Sequence, residues 1–131
     1  MRILVFGNPL VPRDSIALQA LPFLQERFPD IEFVEFDAVE SLEKEGPEPI
    51  ILDCVQGIPH CEIITDLARL ERASRQVSMH DFDLRETLFL LHKMGLIKKT
   101  QIIAIPVQYG LEPAVQEVTE LIQELLEQEK N

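Results

Sequence analysis

The chain has 131 residues, 12 of them basic and 23 acidic, for a formal net charge of -11. That length suits one domain able to bury roughly two-thirds of its unfolded surface, and an apolar fraction of 46% is ordinary for a soluble globular protein. The charge argues against nucleic acid, whose affinity comes largely from cationic contacts to phosphate, and against anionic membrane surfaces; no apolar run approaches the roughly 20 residues that cross a bilayer.

The opening MRILVFGN is too brief an apolar run for a secretory signal, and proline and charge follow at once. A cytoplasmic protein is expected. RILVFGN, Arg2 to Asn8, is β-rich and closed by turn residues, which predicts a buried strand. NPLVPRDS is a loop that closes on Asp14 and Ser15, either of which caps a helix. Ile16, Ala20, Phe23 and Leu24 form a helical stripe through SIALQALPFLQERF, with a kink or break predicted at Pro22. IEFVEFD, Ile31 to Asp37, mixes apolar and acidic residues and reads as a strand with one wetter face, near a sheet edge.

AVESLEKEG reads as a short helix ending at Gly46, and PIILDCV, the most apolar strand, as a central one. CEIITDLARLERASR is β-branched at its start and helical later; its first part is read as a strand or irregular segment, and QVSMH as a short strand. Asp83 and Glu86 fit a D-x-x-E cap before LRETLFLLHKMG, whose stripe is Leu84, Leu88 and Leu91 and whose end is Gly95. TQIIAIPV is the last strand. YGLEP then turns into a helix with Pro113 in its first turn and Val115, Val118, Ile122 and Leu125 on its buried face. Strands alternating with helices predict an α/β fold over residues 1–131: a three-layer sandwich with a mostly parallel five-stranded sheet covered on both faces.

Right-handed crossovers bring every βα loop of such a sheet to one edge. Ligands bind there, outside the carboxyl ends of the strands. Asp14 beyond RILVFGN, Asp53 in PIILDCV and His80 in RQVSMH each stand at a predicted strand end. Two carboxylates and an imidazole suit a divalent transition metal. Each residue also has a plainer role: Asp14 as an N-cap, Asp53 as an acceptor of loop amides, His80 as a satisfied structural histidine. An acid ending the most apolar strand nevertheless needs a partner, because unpaired buried charge is costly.

Cys54 and Cys61 form no C-x-x-C and read as a reduced, partly buried pair. A disulfide, or a soft-metal site built from His60 and Cys61 near Asp53, is the alternative. His60 lies in a turn, and His92 is a surface or packing residue of a helix. Tyr109, Gly110 and Leu111 either border the cleft or form a simple turn. The chain contains no G-x-G-x-x-G, Walker A, G-x-S-x-G or H-E-x-x-H sequence. Dinucleotide, P-loop, α/β-hydrolase and zincin chemistry are thereby disfavoured.

Four further stretches stand in order along nearly the whole chain: GNPLVPRDS, ILDCV, VSMHDFDLRETLFLLHKMG and IAIPVQYGLEPAVQEV. Together they resemble the motifs of the hydrogenase maturation endopeptidases, which trim the C-terminal extension from the large subunit of nickel–iron hydrogenases. The resemblance implies that Asp14, Asp53 and His80 are the metal-contacting and catalytic residues, with Gly7 and Asn8 shaping the first loop. It also implies a hydrogenase large-subunit precursor as partner and nickel, supplied by that precursor, as the metal; another divalent metal would suit the same ligands. The chain departs from the family pattern at Val5 and Phe6, Arg13, Ser15 and Ile16, Cys54 and Glu112, which marks a divergent branch. Two other functions fit the same fold: a metal-sensing chaperone that binds the precursor without cutting it, and a flavodoxin-like ligand-binding domain.

Overall fold

RILV, IILDCV and QIIAIP are short, mostly apolar runs without polar alternation, as expected of strands covered on both faces. In the computed structural model they form the middle of one sheet. The structure describes residues 1–6, 16–36, 39–66 and 79–130, and of residues 39–41 and 79–85 the backbone alone. In chain order the elements are β1 (Arg2–Val5), α1 (Ile16–Arg27), β2 (Glu32–Glu35), a 3-10 helix (Val39–Glu45), β3 (Ile50–Val55), β4 (Glu62–Ile64), α2 (Met79–Lys93), β5 (Gln101–Pro106) and α3 (Leu111–Lys130).

The five strands lie in the order β2-β1-β3-β5-β4. All neighbours are parallel except β4, which runs antiparallel to β5. β3 is central and β2 is an edge strand, as their sequences suggest. Alternate residues of each strand face opposite layers. Ile3, Val5, Leu52, Cys54, Ile103 and Ile105 pack with α1 and α3, through Ala17, Ala20, Leu24, Ala114, Val118 and Ile122. Leu4, Phe6, Ile51, Val55, Ile102 and Ala104 pack on the other side, with Leu42 of the 3-10 helix and Leu88 and Leu91 of α2. The sheet is thus covered on both faces, in three layers.

Several local expectations are corrected. The fifth strand is the one read at the start of CEIITD, Glu62–Ile64, whereas Met79 and His80 of the expected strand QVSMH are the first residues of α2. The Asp83–Glu86 cap is displaced with them, because α2 begins four residues before Asp83. Phe23 is 51% exposed and Val115 only half-buried, so Ala17 and Ala114 complete the buried faces of α1 and α3. A small side chain at these positions lets two helices approach the same sheet face closely. Asp37 lies outside the described residues. At the end of α2, Gly95 takes a φ of 78°; the amides of Gly95 and Leu96 donate to the carbonyls of His92 and Leu91 at 3.1 and 3.0 Å. This is the paired hydrogen-bonding of a Schellman turn, closed by a residue without a side chain.

α1 continues through Pro22, so the break expected there as one of two outcomes does not occur. The proline removes one helical donor and crowds the preceding turn. Packing of Ala17, Ala20 and Leu24 against the sheet holds the helix together despite that cost. Pro22 is exposed, so Pro22→Ala restores the missing donor without disturbing the core. The expected outcome is a stabilisation of about 1–2 kcal/mol in chemical denaturation, the helix gain being partly offset by a freer unfolded chain.

Candidate active site

The strand order reverses direction between β1 and β3: the chain leaves β1 for β2 on one side and returns past it to β3 on the other. In an open α/β sheet this topological switch opens a crevice outside the carboxyl ends of the two strands. Phe6, just past β1, donates its amide to Leu52 of β3 at 2.9 Å, so the two strand ends remain paired up to the residue before Asp53.

Asp53 sits on the α2 side of β3, since it shares alternation with Ile51 and Val55. It is 4% exposed. Its register partner on β5 is Ala104, and continuing the β1–β3 register by one residue sets Phe6 on its other flank. Both neighbours are completely buried and apolar. The carboxylate Oδ1 accepts the amide of Cys54 at 2.9 Å. A carboxylate held here, beside a methyl group and a phenyl ring, is largely removed from bulk water, with one oxygen fixed by the Cys54 amide.

α2 carries His80 to the same edge. Beyond its last turn, the amides of Lys98 and Lys99 donate to the carbonyl of Pro47 at 2.7 and 3.2 Å, and that of Gln101 to Pro49 at 3.1 Å. These bonds tie the carboxyl end of α2 to the amino edge of β3. With Leu88 and Leu91 laid on the sheet, the helix runs back against the parallel strands, and its first turn points to their carboxyl edge. His80 is the second residue of that turn, not the end of a strand. Its side chain lies outside the described residues, as do Gly7, Asn8 and Asp14. Among the described residues no three His, Cys, Asp or Glu side chains come together to hold a metal ion. Of the three sequence-read ligands, Asp53 is the one whose side chain is described.

A second polar group at this edge joins His60, Cys61 and Tyr109, each singled out in the sequence, through Glu117, which was not. Glu117 of α3 accepts the Tyr109 hydroxyl at 2.8 and 3.0 Å and the Cys61 amide at 3.0 Å. The Tyr109 oxygen stands 3.2 Å from Nδ1 of His60. Because the hydroxyl donates to the carboxylate, its oxygen is left to accept from that ring nitrogen. One carboxylate thereby joins the turn after β3, the turn after β5 and the first half of α3. The only local signal for it is a glutamate on the otherwise inward side of an amphipathic helix. His92, by contrast, is a packing residue, with Nε2 3.2 Å from the hydroxyl of buried Thr100.

Cys54 is buried and Cys61 half-buried, and both are free thiols. Burial, then the negative charge of Glu117 and a hydrogen bond to it, push the Cys61 thiol from 9.0 up to about 12. Desolvation, with the hydrogen bond to Glu117 and the charges of Glu117 and Cys61, raises the Tyr109 hydroxyl from 10.0 to about 12. Both groups hold their protons more tightly in the folded chain. Their contribution to stability is complete below pH 9.0 and is lost as pH rises toward about 12. Alkylation of Cys61 at neutral pH is expected to be slower than for an ordinary exposed cysteine by about tenfold or more. Glu117→Gln should speed it and flatten the alkaline loss of stability. Equal alkylation rates in the two proteins would refute the role given to Glu117.

The chain matches no protein-family model and no curated protein. Solved structures do resemble it. An endopeptidase from Escherichia coli superposes over 98% of this chain and 89% of its own, at 25% identity and a TM-score of 0.58. The fold is that of an endopeptidase. An uncharacterized protein from Wolinella succinogenes shares it at 16% identity over 98% of this chain and 96% of that one, with a TM-score of 0.51. A hydrogenase 2 maturation peptidase from a Thaumarchaeota archaeon matches at 17% identity over 97% of both chains, with a TM-score of 0.49. In fold the chain is similar to an endopeptidase, and in its four ordered stretches to the hydrogenase maturation endopeptidases. The two likenesses agree on a peptidase. Among the described residues no helix is long and apolar enough to cross a membrane.

Proposed function

We propose that this endopeptidase removes the C-terminal extension of a nickel–iron hydrogenase large-subunit precursor after nickel has been inserted. The observation that carries this reading is Asp53: a carboxylate 4% exposed, at the switch point of the sheet, on the face toward which α2 brings the backbone of His80. Asp14 belongs to the segment between β1 and α1, which leaves the sheet from the strand next to β3. In this proposal Asp14, Asp53 and His80 contact the precursor's nickel. The metal is part of the substrate, so the enzyme needs no autonomous metalloprotease motif.

Two oxygen ligands and one nitrogen ligand fit a divalent first-row metal of intermediate hardness. Recognition of that metal would confine cleavage to loaded precursor and hold the scissile peptide at the crevice. The attacking group is water, activated either by the metal, which lowers its pKa, or by a carboxylate acting as general base. Asp53 is the carboxylate suited to the second route, because its apolar flanks exclude competing water.

The test is incubation with nickel-loaded and nickel-free precursor from the same source, read by intact mass. A single C-terminal truncation confined to the loaded precursor supports the reading. Binding of loaded precursor without truncation would replace it with that of a metal-sensing chaperone, and neither binding nor cutting would sink both.

A further inference from the structure

The outer side of α2 is not the surface of a helix made for water. Leu88 and Leu91 face the sheet and are 0% and 7% exposed. Phe89, Leu90 and Met94 point away from it and are 62%, 55% and 59% exposed, and Leu96 in the following turn is 47% exposed. Among the described residues, four of the five large apolar side chains this exposed lie in this one stretch. Contiguous apolar surface of this kind marks an interaction site.

The charges on the same face indicate what covers it. Glu86 and Lys93 are both exposed and lie on the helix side that carries Phe89 and Leu90. They are equidistant from the midpoint between positions 89 and 90, one toward each end of the helix. If two such helices pack antiparallel about a two-fold axis at that midpoint, Glu86 of each copy meets Lys93 of the other. The apolar pair Phe89 and Leu90 then covers itself. A parallel two-fold pairing, which allows no stagger, sets like charges side by side and leaves the face mismatched. A surface complementary to itself under two-fold rotation is what an isologous dimer requires.

We propose that α2 is the dimer interface of this protein, with a second copy of the chain packed antiparallel on Glu86, Phe89, Leu90, Lys93 and Met94. The inference does not rest on the peptidase reading. It has a consequence for the site all the same. Antiparallel packing lays the turn holding Lys98 and Lys99 of one copy alongside the first turn of α2 in the other, beside the carboxyl edge of its sheet. Each candidate active site would then be bordered by two lysines of the second subunit, which suits an anionic C-terminal peptide.

The test is sedimentation equilibrium of the whole chain over a dilution series. A reversible dimer is expected for the wild type and monomer for Leu90→Glu, a substitution at an exposed position that leaves the core untouched. Glu86→Lys and Lys93→Glu should each weaken the dimer by roughly tenfold or more, since each puts two like-charged pairs in the interface. The two changes together should restore it to within about threefold of wild type, because the pairs are re-formed with opposite polarity. A monomeric wild type would overturn the proposal and leave the patch to a foreign partner. So would a dimer indifferent to Leu90→Glu, or a double reversal no better than the single ones. A circular dichroism melt of each variant separates failed assembly from failed folding.

Discussion

Asp53→Asn is expected to leave the protein folded and to lower cleavage of nickel-loaded precursor by about 10²–10⁴-fold, the range associated with loss of a general base or metal-contacting group. Asparagine keeps Oδ1, the atom that accepts the Cys54 amide at 2.9 Å. It fits the space between Phe6 and Ala104 because the two side chains have the same shape. What it loses is the negative charge, with Oδ2 exchanged for an amide donor of the same size. The fold itself should therefore hardly register the change, and the melting temperature should stay within a few degrees of wild type. The kinetics also separate the two chemical routes. If Asp53 mainly recognises the metal, the variant loses its preference for loaded over unloaded precursor, and KM rises. If Asp53 activates water, the preference persists and kcat alone collapses. Cleavage at the wild-type rate would remove Asp53 from the site.

Leu88→Ala is expected to be the most damaging of the simple truncations of α2. Leu88 is completely buried between the helix, the 3-10 helix and the sheet. Removing three heavy atoms from such a site costs about 2–5 kcal/mol, from the lost transfer energy and from the cavity left behind. That is a large part of the roughly 5–15 kcal/mol that holds a domain of this kind together, and it should lower the melting temperature by about 10 °C. Leu90→Ala, two residues on but 55% exposed, should change the stability of the isolated chain by about 0.5 kcal/mol or less. Thermal melts at low protein concentration, where any dimer is dissociated, make this comparison. Equal costs at the two positions would mean that α2 does not lie on the sheet as described. Leu88 also anchors the helix that brings His80 to the carboxyl edge. Its truncation should reduce cleavage even well below the melting temperature, which a purely global destabilisation would not do.

Much of this architecture is legible from local chemistry. Apolar runs bounded by turn residues can be read as strands because strands buried on both faces leave no room for polar alternation. RILV, IILDCV and QIIAIP are of that kind, and so is the central place of β3. The long amphipathic helix at the end of the chain is legible for a similar reason: Val118, Ile122 and Leu125 recur at helical spacing and are buried together. The errors fall where local signals compete. Pro22 is a helix breaker by itself, yet the packing of α1 outweighs it. In QVSMHDFDLRE the β-branched start and the D-x-x-E pattern both argued for a later helix. Their local preferences, worth well under 1 kcal/mol each, did not decide where α2 begins.

The sequence by itself determined most of the core, the alternation of strands with helices, and which side chains are candidate metal ligands: Asp14, Asp53 and His80. All three follow from side-chain identity and short-range spacing. Only the tertiary structure decided the full strand order β2-β1-β3-β5-β4, the enclosure of Asp53 between Phe6 and Ala104, and that His80 opens a helix instead of closing a strand. It alone revealed Glu117 holding Tyr109 and Cys61, and the apolar outer face of α2. The strand order, the enclosure of Asp53 and the grip of Glu117 are contacts between residues distant in the chain, and the start and exposed face of α2 depend on how that helix is laid on the sheet. Such contacts are set by how the layers pack, and no short window of residues contains them.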